Sequence, residues 1–222
     1  VPKERNVASG LRGKLGSLWL GLGLGPWWSE QSVSGSATPF GDRSTSGLSL
    51  GGIAGASMQW SPKIGSEMNV LAVQMRGVTE GTRVWPTLRA QAHLVGRSGV
   101  DAMELVGSVG VGYSRMTVWG WGEPSSSFEV DVPLLSPGLE LRRVFERWRM
   151  SCRIEGLLAS AWRPSGMSAN VSVTALMTDG FSLRVDSQAR VGQIEALALN
   201  AEGRAKVREA YAAATVGGEW SW

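Results

Sequence analysis

The chain contains one histidine and one cysteine, and these two residues bound the chemistry it could perform. His93 alternates with Gln91 and Arg89 in the run Arg89-Ala90-Gln91-Ala92-His93, so all three project from one face of an extended segment. A histidine so placed could serve as a general base. It could equally be one member of a hydrogen-bonded polar network. The single Cys152 excludes an internal disulfide and any cysteine-based metal cluster. There is no Ser-His-Asp order, phosphate-binding glycine loop, zinc spacing or calcium loop, and nothing asks for a cofactor or a metal. Gly21, Gly23, Gly107, Gly110 and Gly112 fall inside extended segments, where they suit bending or close packing rather than a nucleotide.

Charged residues of both signs occupy the polar faces of these segments. Arg83, Arg89, Arg115, Arg142, Arg149, Arg153 and Arg184 stand against Glu104, Glu129, Asp131, Glu140, Glu155, Asp186, Glu195 and Glu209. In a narrow enclosure such groups must pair, because an isolated buried charge is very costly. Two arrangements satisfy that requirement: an interlocked plug of salt bridges, or an arginine-lined pore with a weak anion preference. The inward network expected from the alternation is Arg83, Arg89, Gln91, His93, Arg149, Arg153, Glu155, Arg184 and Asp186. The net charge of +3 is mild and the basic residues are dispersed, so there is no electrostatic footprint for nucleic acid.

The elements that carry these residues alternate with a period of two almost throughout. Ten strands are expected, at roughly 14–25, 46–60, 67–78, 82–96, 102–121, 128–144, 147–162, 169–178, 181–198 and 206–222. Eight or twelve result if one hairpin is merged or split. Only 201–214 could pass for a helix. No run of eighteen uncharged apolar residues exists, and the mean hydropathy is −0.03, so helical membrane spans are excluded. The strands are long for a soluble sheet, whereas a tilted strand of about 9–11 residues crosses a bilayer. Residues 1–222 read as one domain, with 1–13 as an N-terminal lead-in.

In strand one Leu18, Leu20, Leu22 and Leu24 share a face, and in strand seven Trp148, Met150, Cys152 and Ile154 oppose Arg149, Ser151, Arg153 and Glu155. Soluble barrels alternate too, so a soluble β-barrel binding an apolar ligand is the rival reading. The tryptophans separate the two. Trp148 and Trp162 end one apolar face about 14 residues apart, roughly a bilayer thickness along a tilted strand. Trp60, Trp220 and Trp222 also lie at strand ends, as membrane interfaces favour. Strand six switches register between Val132–Leu134 and Leu139–Leu141, and Ser136-Pro137-Gly138 is expected to form a bulge that restores the faces. The long segment 26–45, with Trp27, Trp28 and Phe40, is expected to be an outer loop able to dock an envelope protein partner or pack on the rim.

The last eight residues, Thr215-Val216-Gly217-Gly218-Glu219-Trp220-Ser221-Trp222, carry a resemblance. Thr215, Gly217, Trp220 and Trp222 fall where the C-terminal assembly signal of bacterial outer-membrane β-barrel proteins has a polar residue, a glycine, a hydrophobic residue and a terminal aromatic. The resemblance implies an all-β, antiparallel up-and-down transmembrane barrel in outer-membrane lipid. It also implies insertion by the barrel assembly machinery and closure of the last strand on the first. Some barrels of this kind are enzymes, but their sites lie toward the outer leaflet or cell surface. Strand four brings His93 toward the periplasm, which favours the network role. A structural or interaction component of the envelope, without catalysis, is the leading expectation, and a narrow porin-like channel is the alternative.

Overall fold

The computed structural model describes residues 15–34, 43–77, 87–100, 103–118, 128–145, 147–159, 163–197 and 204–222. Ten antiparallel strands form a closed barrel: β1 (Gly16–Ser34), β2 (Arg43–Gln59), β3 (Ile64–Gly77), β4 (Thr87–Val100), β5 (Met103–Val118), β6 (Phe128–Val144), β7 (Trp148–Ala159), β8 (Arg163–Thr178), β9 (Phe181–Leu197) and β10 (Arg204–Ser221). Each strand pairs with its sequence neighbours, and β10 returns to β1 from Ser17↔Ser221 to Ser34↔Arg204. The terminal residue takes part in closure. Leu15 N donates to Trp222 O at 2.7 Å and Trp222 N to Gly16 O at 3.1 Å. Among the described residues no open edge remains to leave backbone groups unpaired in hydrocarbon.

The register fixes the barrel's dimensions. The register followed around the wall from Ser17 through Ser57, Glu67, His93, Gly110, Ser136, Leu157 (opposite Ser136 by the constant register between Leu135↔Leu158 and Gly138↔Glu155), Gly166, Gly192 and Glu209 returns to β1 at Ser29. The ladder has advanced from Ser17 to Ser29, a shear of 12 for ten strands. At a strand spacing near 4.8 Å this gives a tilt of about 40° and a backbone diameter of about 20 Å.

The burial is inside out for a soluble protein. Leu18, Leu20, Leu22, Leu24, Leu48, Leu50, Val109, Val111, Leu139 and Val216 are all exposed on the outer wall, Leu22 by 72%. The buried side chains include Glu67, Arg89, Gln91, His93, Glu140, Glu155, Asp186, Arg190, Glu209 and Glu219. An apolar wall around a charged interior is stable only with hydrocarbon outside. The soluble barrel with an apolar interior is therefore excluded. One end holds both described termini and the short connections 60–63, 145–147 and 179–180. Short turns mark the periplasmic end of such barrels.

Two sequence expectations change. The bulge at Ser136-Pro137-Gly138 does not form. β6 keeps one register with β5 from Phe128 to Arg143, so Val132, Leu134, Ser136 and Glu140 all face inward and Leu139 and Leu141 outward. Apolar side chains at the upper end of β6 thus belong to the lumen, and proline fits because Pro137 falls in a gap of the β6–β7 ladder and Pro133 beyond its end at Leu135↔Leu158. The loop 26–45 is largely strand: β1 runs on to Ser34 and β2 starts at Arg43. Pro26 is tolerated there by a local gap in the β1–β10 ladder between Leu24↔Ala214 and Trp27↔Tyr211. Phe40 lies outside the described residues. The strand expected at 206–222 is β10, and its alternation matches the pleat of β9 and β1 on either side.

Candidate functional site

Alternation along each strand delivers one polar side chain every second residue to the lumen. β3 contributes Glu67, β6 Glu140 and Arg142, and β7 Arg149, Arg153 and Glu155. Glu67 is the junction. It accepts from Arg142 Nη2 at 3.1 Å and from Arg153 Nη1 at 2.7 Å. Arg142 Nε also donates to Glu140 Oε1 at 2.8 Å, and Arg153 Nε lies 2.7 Å from Glu155 Oε1. Because β3 and β7 are not neighbours in the wall, these bonds cross the lumen.

A second set ties β7 to β9 and β10. Arg149 Nη2 donates to both Glu219 oxygens, at 2.7 and 2.6 Å. Arg184 forms a fork with Asp186, Nε to Oδ2 at 2.9 Å and Nη2 to Oδ1 at 2.8 Å, while its Nη1 lies 3.5 Å from Glu219 Oε2. The Arg184 guanidinium also stacks over Trp19, 4.9 Å from the ring centroid. Charge-assisted, multidentate pairs of this kind hold their geometry far better than single exposed ion pairs.

His93 lies within the first set. Its Nδ1 is 3.2 Å from Arg153 Nη2 and its Nε2 is 3.9 Å from Glu155 Oε1. Gly110 stands beside it across the β4–β5 ladder, and a Cβ there would strike the imidazole ring. The glycine is what lets the ring lie flat against the wall.

Toward the outer end the lumen changes character. Trp27 from β1 and Tyr211 from β10 pack together, and Val132, Leu134 and Leu157 are also fully buried. Gln91 Nε2 donates to Ser136 Oγ at 2.8 Å, and Arg190 pairs with Glu209 at 3.0 Å. Below this roof is a cavity of about 190 Å³ that reaches from Leu15, Pro62 and Ser221 at the periplasmic rim up to Leu71, Arg89 and Gln188.

Of the expected inward network, the structure gathers Arg89, Gln91, His93, Arg149, Arg153, Glu155, Arg184 and Asp186 inside the barrel. Arg83 lies outside the described residues, as do the side chains of Arg115, Glu129, Asp131 and Glu195. Glu67 was not anticipated, although Glu67 and Asn69 alternate with Met68 and Val70 and so announce an inward face. Trp19 and Trp27 were missed as inward residues, although the leucines at 18, 20, 22 and 24 put odd-numbered positions of β1 opposite the lipid.

Trp60, Trp148, Trp220 and Trp222 project outward at the periplasmic rim, between 47% and 62% exposed, with Phe145 beside them in level. Trp162 lies outside the described residues. Trp220 also packs on Phe181, ring centroids 5.3 Å apart. Thr215 and Gly217 face Gly23 and Gly21 across the closing seam. Trp28, on the outer side of β1, donates its indole N–H to Ser44 Oγ at 3.0 Å.

This is the fold of the bacterial outer-membrane β-barrel proteins, and its exposed apolar wall is built to meet lipid. The outer membrane protease OmpT of Escherichia coli superposes with a TM-score of 0.58 at 11% identity, over 93% of this chain and 96% of that one. The outer membrane protein OprG of Pseudomonas aeruginosa gives 0.41 at 14% identity, over 94% and 97% of the two chains. The translocator domain of the autotransporter NalP of Neisseria meningitidis gives 0.44 at 9%, over 93% and 88%. No protein-family profile and no curated sequence matches the chain.

Proposed function

We propose that this chain is a plugged outer-membrane barrel that serves the envelope as a structural or interaction component and has no catalytic role. The observation that carries this reading is the lumen: cross-barrel pairs of Glu67 with Arg142 and Arg153, and of Arg149 with Glu219, lie beneath a roof of Trp27, Tyr211, Leu134 and Leu157. Those pairs brace one side of the wall against the other, and the buried apolar side chains above them support a closed outer end. The likeness to OmpT, at 11% identity, concerns the fold, and His93 is held by Arg153 and Glu155 beneath the roof. On this reading Thr215, Gly217, Trp220 and Trp222 present the chain to the barrel assembly machinery. The rim tryptophans then anchor it in lipid, and an envelope protein is its partner.

Planar-bilayer recording of the purified protein tests this reading. A plugged barrel inserts without steady single-channel current, whereas stable ohmic steps would overturn it. The second reading, a narrow charged channel, draws on the 190 Å³ cavity that already occupies the periplasmic half. It requires the roof to open.

A further inference from the structure

Arg89 is an arginine of the described lumen with no carboxylate partner. It is only 3% exposed, and both its Nε and its Nη2 lack a hydrogen-bond partner. Among the described residues no carboxylate stands within ion-pairing distance of it. Glu155 is taken by Arg153 at 2.7 Å, and Glu209 by Arg190 at 3.0 Å. Its strongest charged neighbour is Arg190, so two guanidiniums share the upper lumen with the single carboxylate of Glu209. Below them every arginine of the two cross-barrel sets has at least one carboxylate partner.

An unpaired guanidinium is costly in such a site and calls for a counter-charge. The two free nitrogens matter for their geometry. Nε and Nη2 form one edge of the planar guanidinium, with parallel N–H bonds spaced for the two oxygens of a carboxylate or phosphate. Arg89 lines the top of the cavity that begins at the periplasmic rim, and a turn of its side chain presents this covered edge to the cavity. The cavity, of about 190 Å³, has room for a small organic or inorganic anion.

We propose that the periplasmic half of the lumen is a binding site for a small oxyanion, whose two oxygens are taken by the Nε–Nη2 edge of Arg89. The anion enters at the rim past Ser17 and Ser221, is held beneath the Trp27–Tyr211 roof, and leaves by the same mouth. The site needs no through-pore, so it goes beyond the plugged-barrel reading and stands or falls separately from it.

Equilibrium dialysis of the full-length barrel in detergent, against radiolabelled acetate and inorganic phosphate in separate arms, tests the proposal. Saturable uptake approaching one anion per chain is expected in at least one arm, and the arm that responds identifies a carboxylate or a phosphate group. Arg89→Gln should weaken that uptake at least tenfold. Arg89→Lys, which keeps the charge and loses the fork, should also weaken it. Retained heat-dependent gel mobility shows that each variant has folded. Should Arg89→Gln fail that check, Arg89→Lys decides. No saturable uptake by the wild type in either arm, or undiminished uptake in the folded variants, overturns the proposal. A conducting wild-type barrel would refute the plugged reading and leave this result untouched.

Discussion

Replacing Glu67 by Gln removes the junction of the luminal network at nearly constant volume. The side chain is 6% exposed and receives two charge-assisted hydrogen bonds, from Arg142 at 3.1 Å and Arg153 at 2.7 Å. Breaking a buried ion pair typically costs about 3–5 kcal/mol. Here the loss is smaller, because Arg142 keeps Glu140 at 2.8 Å and Arg153 keeps Glu155 at 2.7 Å. The amide oxygen of Gln also retains one acceptor. The expected destabilisation is about 2–3 kcal/mol, built from two charged hydrogen bonds at about 1.5–3 kcal/mol each less what the remaining partners recover. Reversible urea unfolding in phospholipid vesicles, followed by tryptophan fluorescence, measures it as a lower midpoint at unchanged slope. Combining Glu67→Gln with Arg153→Gln should give a coupling of about 1 kcal/mol or more. A loss below about 0.5 kcal/mol, or strict additivity in the double variant, would refute the bracing role assigned to these bonds.

Leu22→Arg places a charge at mid-wall, where the leucine is 72% exposed, and should cost about 2–4 kcal/mol in the same vesicle assay. A neutral result would mean that this face does not meet lipid. Trp27→Ala opens the roof, so it should lower stability by about 3–5 kcal/mol and produce single-channel current absent from the wild type. Silent bilayers with the folded variant would show that the closure lies elsewhere. Gly217→Val sets a branched side chain against the Leu20 carbonyl across the closing seam, so the heat-shifted folded band should diminish in reconstituted samples. Equal yields of folded barrel would disprove close packing at that seam.

The strand number and the assignment of lipid and lumen faces were legible because period-two alternation is strong in β1, β4, β7, β8 and β10. A barrel wall needs that signal and little else. The strand ends were harder to read. Residues 26–34 mix Trp27, Trp28, Glu30 and serines, since near the outer rim the lipid band gives way to polar surroundings and the apolar roof fills the lumen. The same reversal misled the reading of β6, where Val132 and Leu134 are apolar yet inward. Alternation reports which residues share a face; it does not say which face is which once both contain apolar groups. His93 could be placed on the polar face from its neighbours. Its ties to Arg153 and Glu155 depend on β4 and β7 meeting across the lumen, and that follows from the shear, which no single strand encodes.

Electrophoretic mobility of the detergent-extracted protein with and without boiling, read together with its membrane fractionation, is the most direct test of a closed lipid-spanning barrel. The account predicts an unboiled band that migrates apart from the boiled one, and co-fractionation with the outer membrane. A protein that stays monodisperse without detergent and shows a single band in both lanes would contradict it, because the leucine wall would then have to face water.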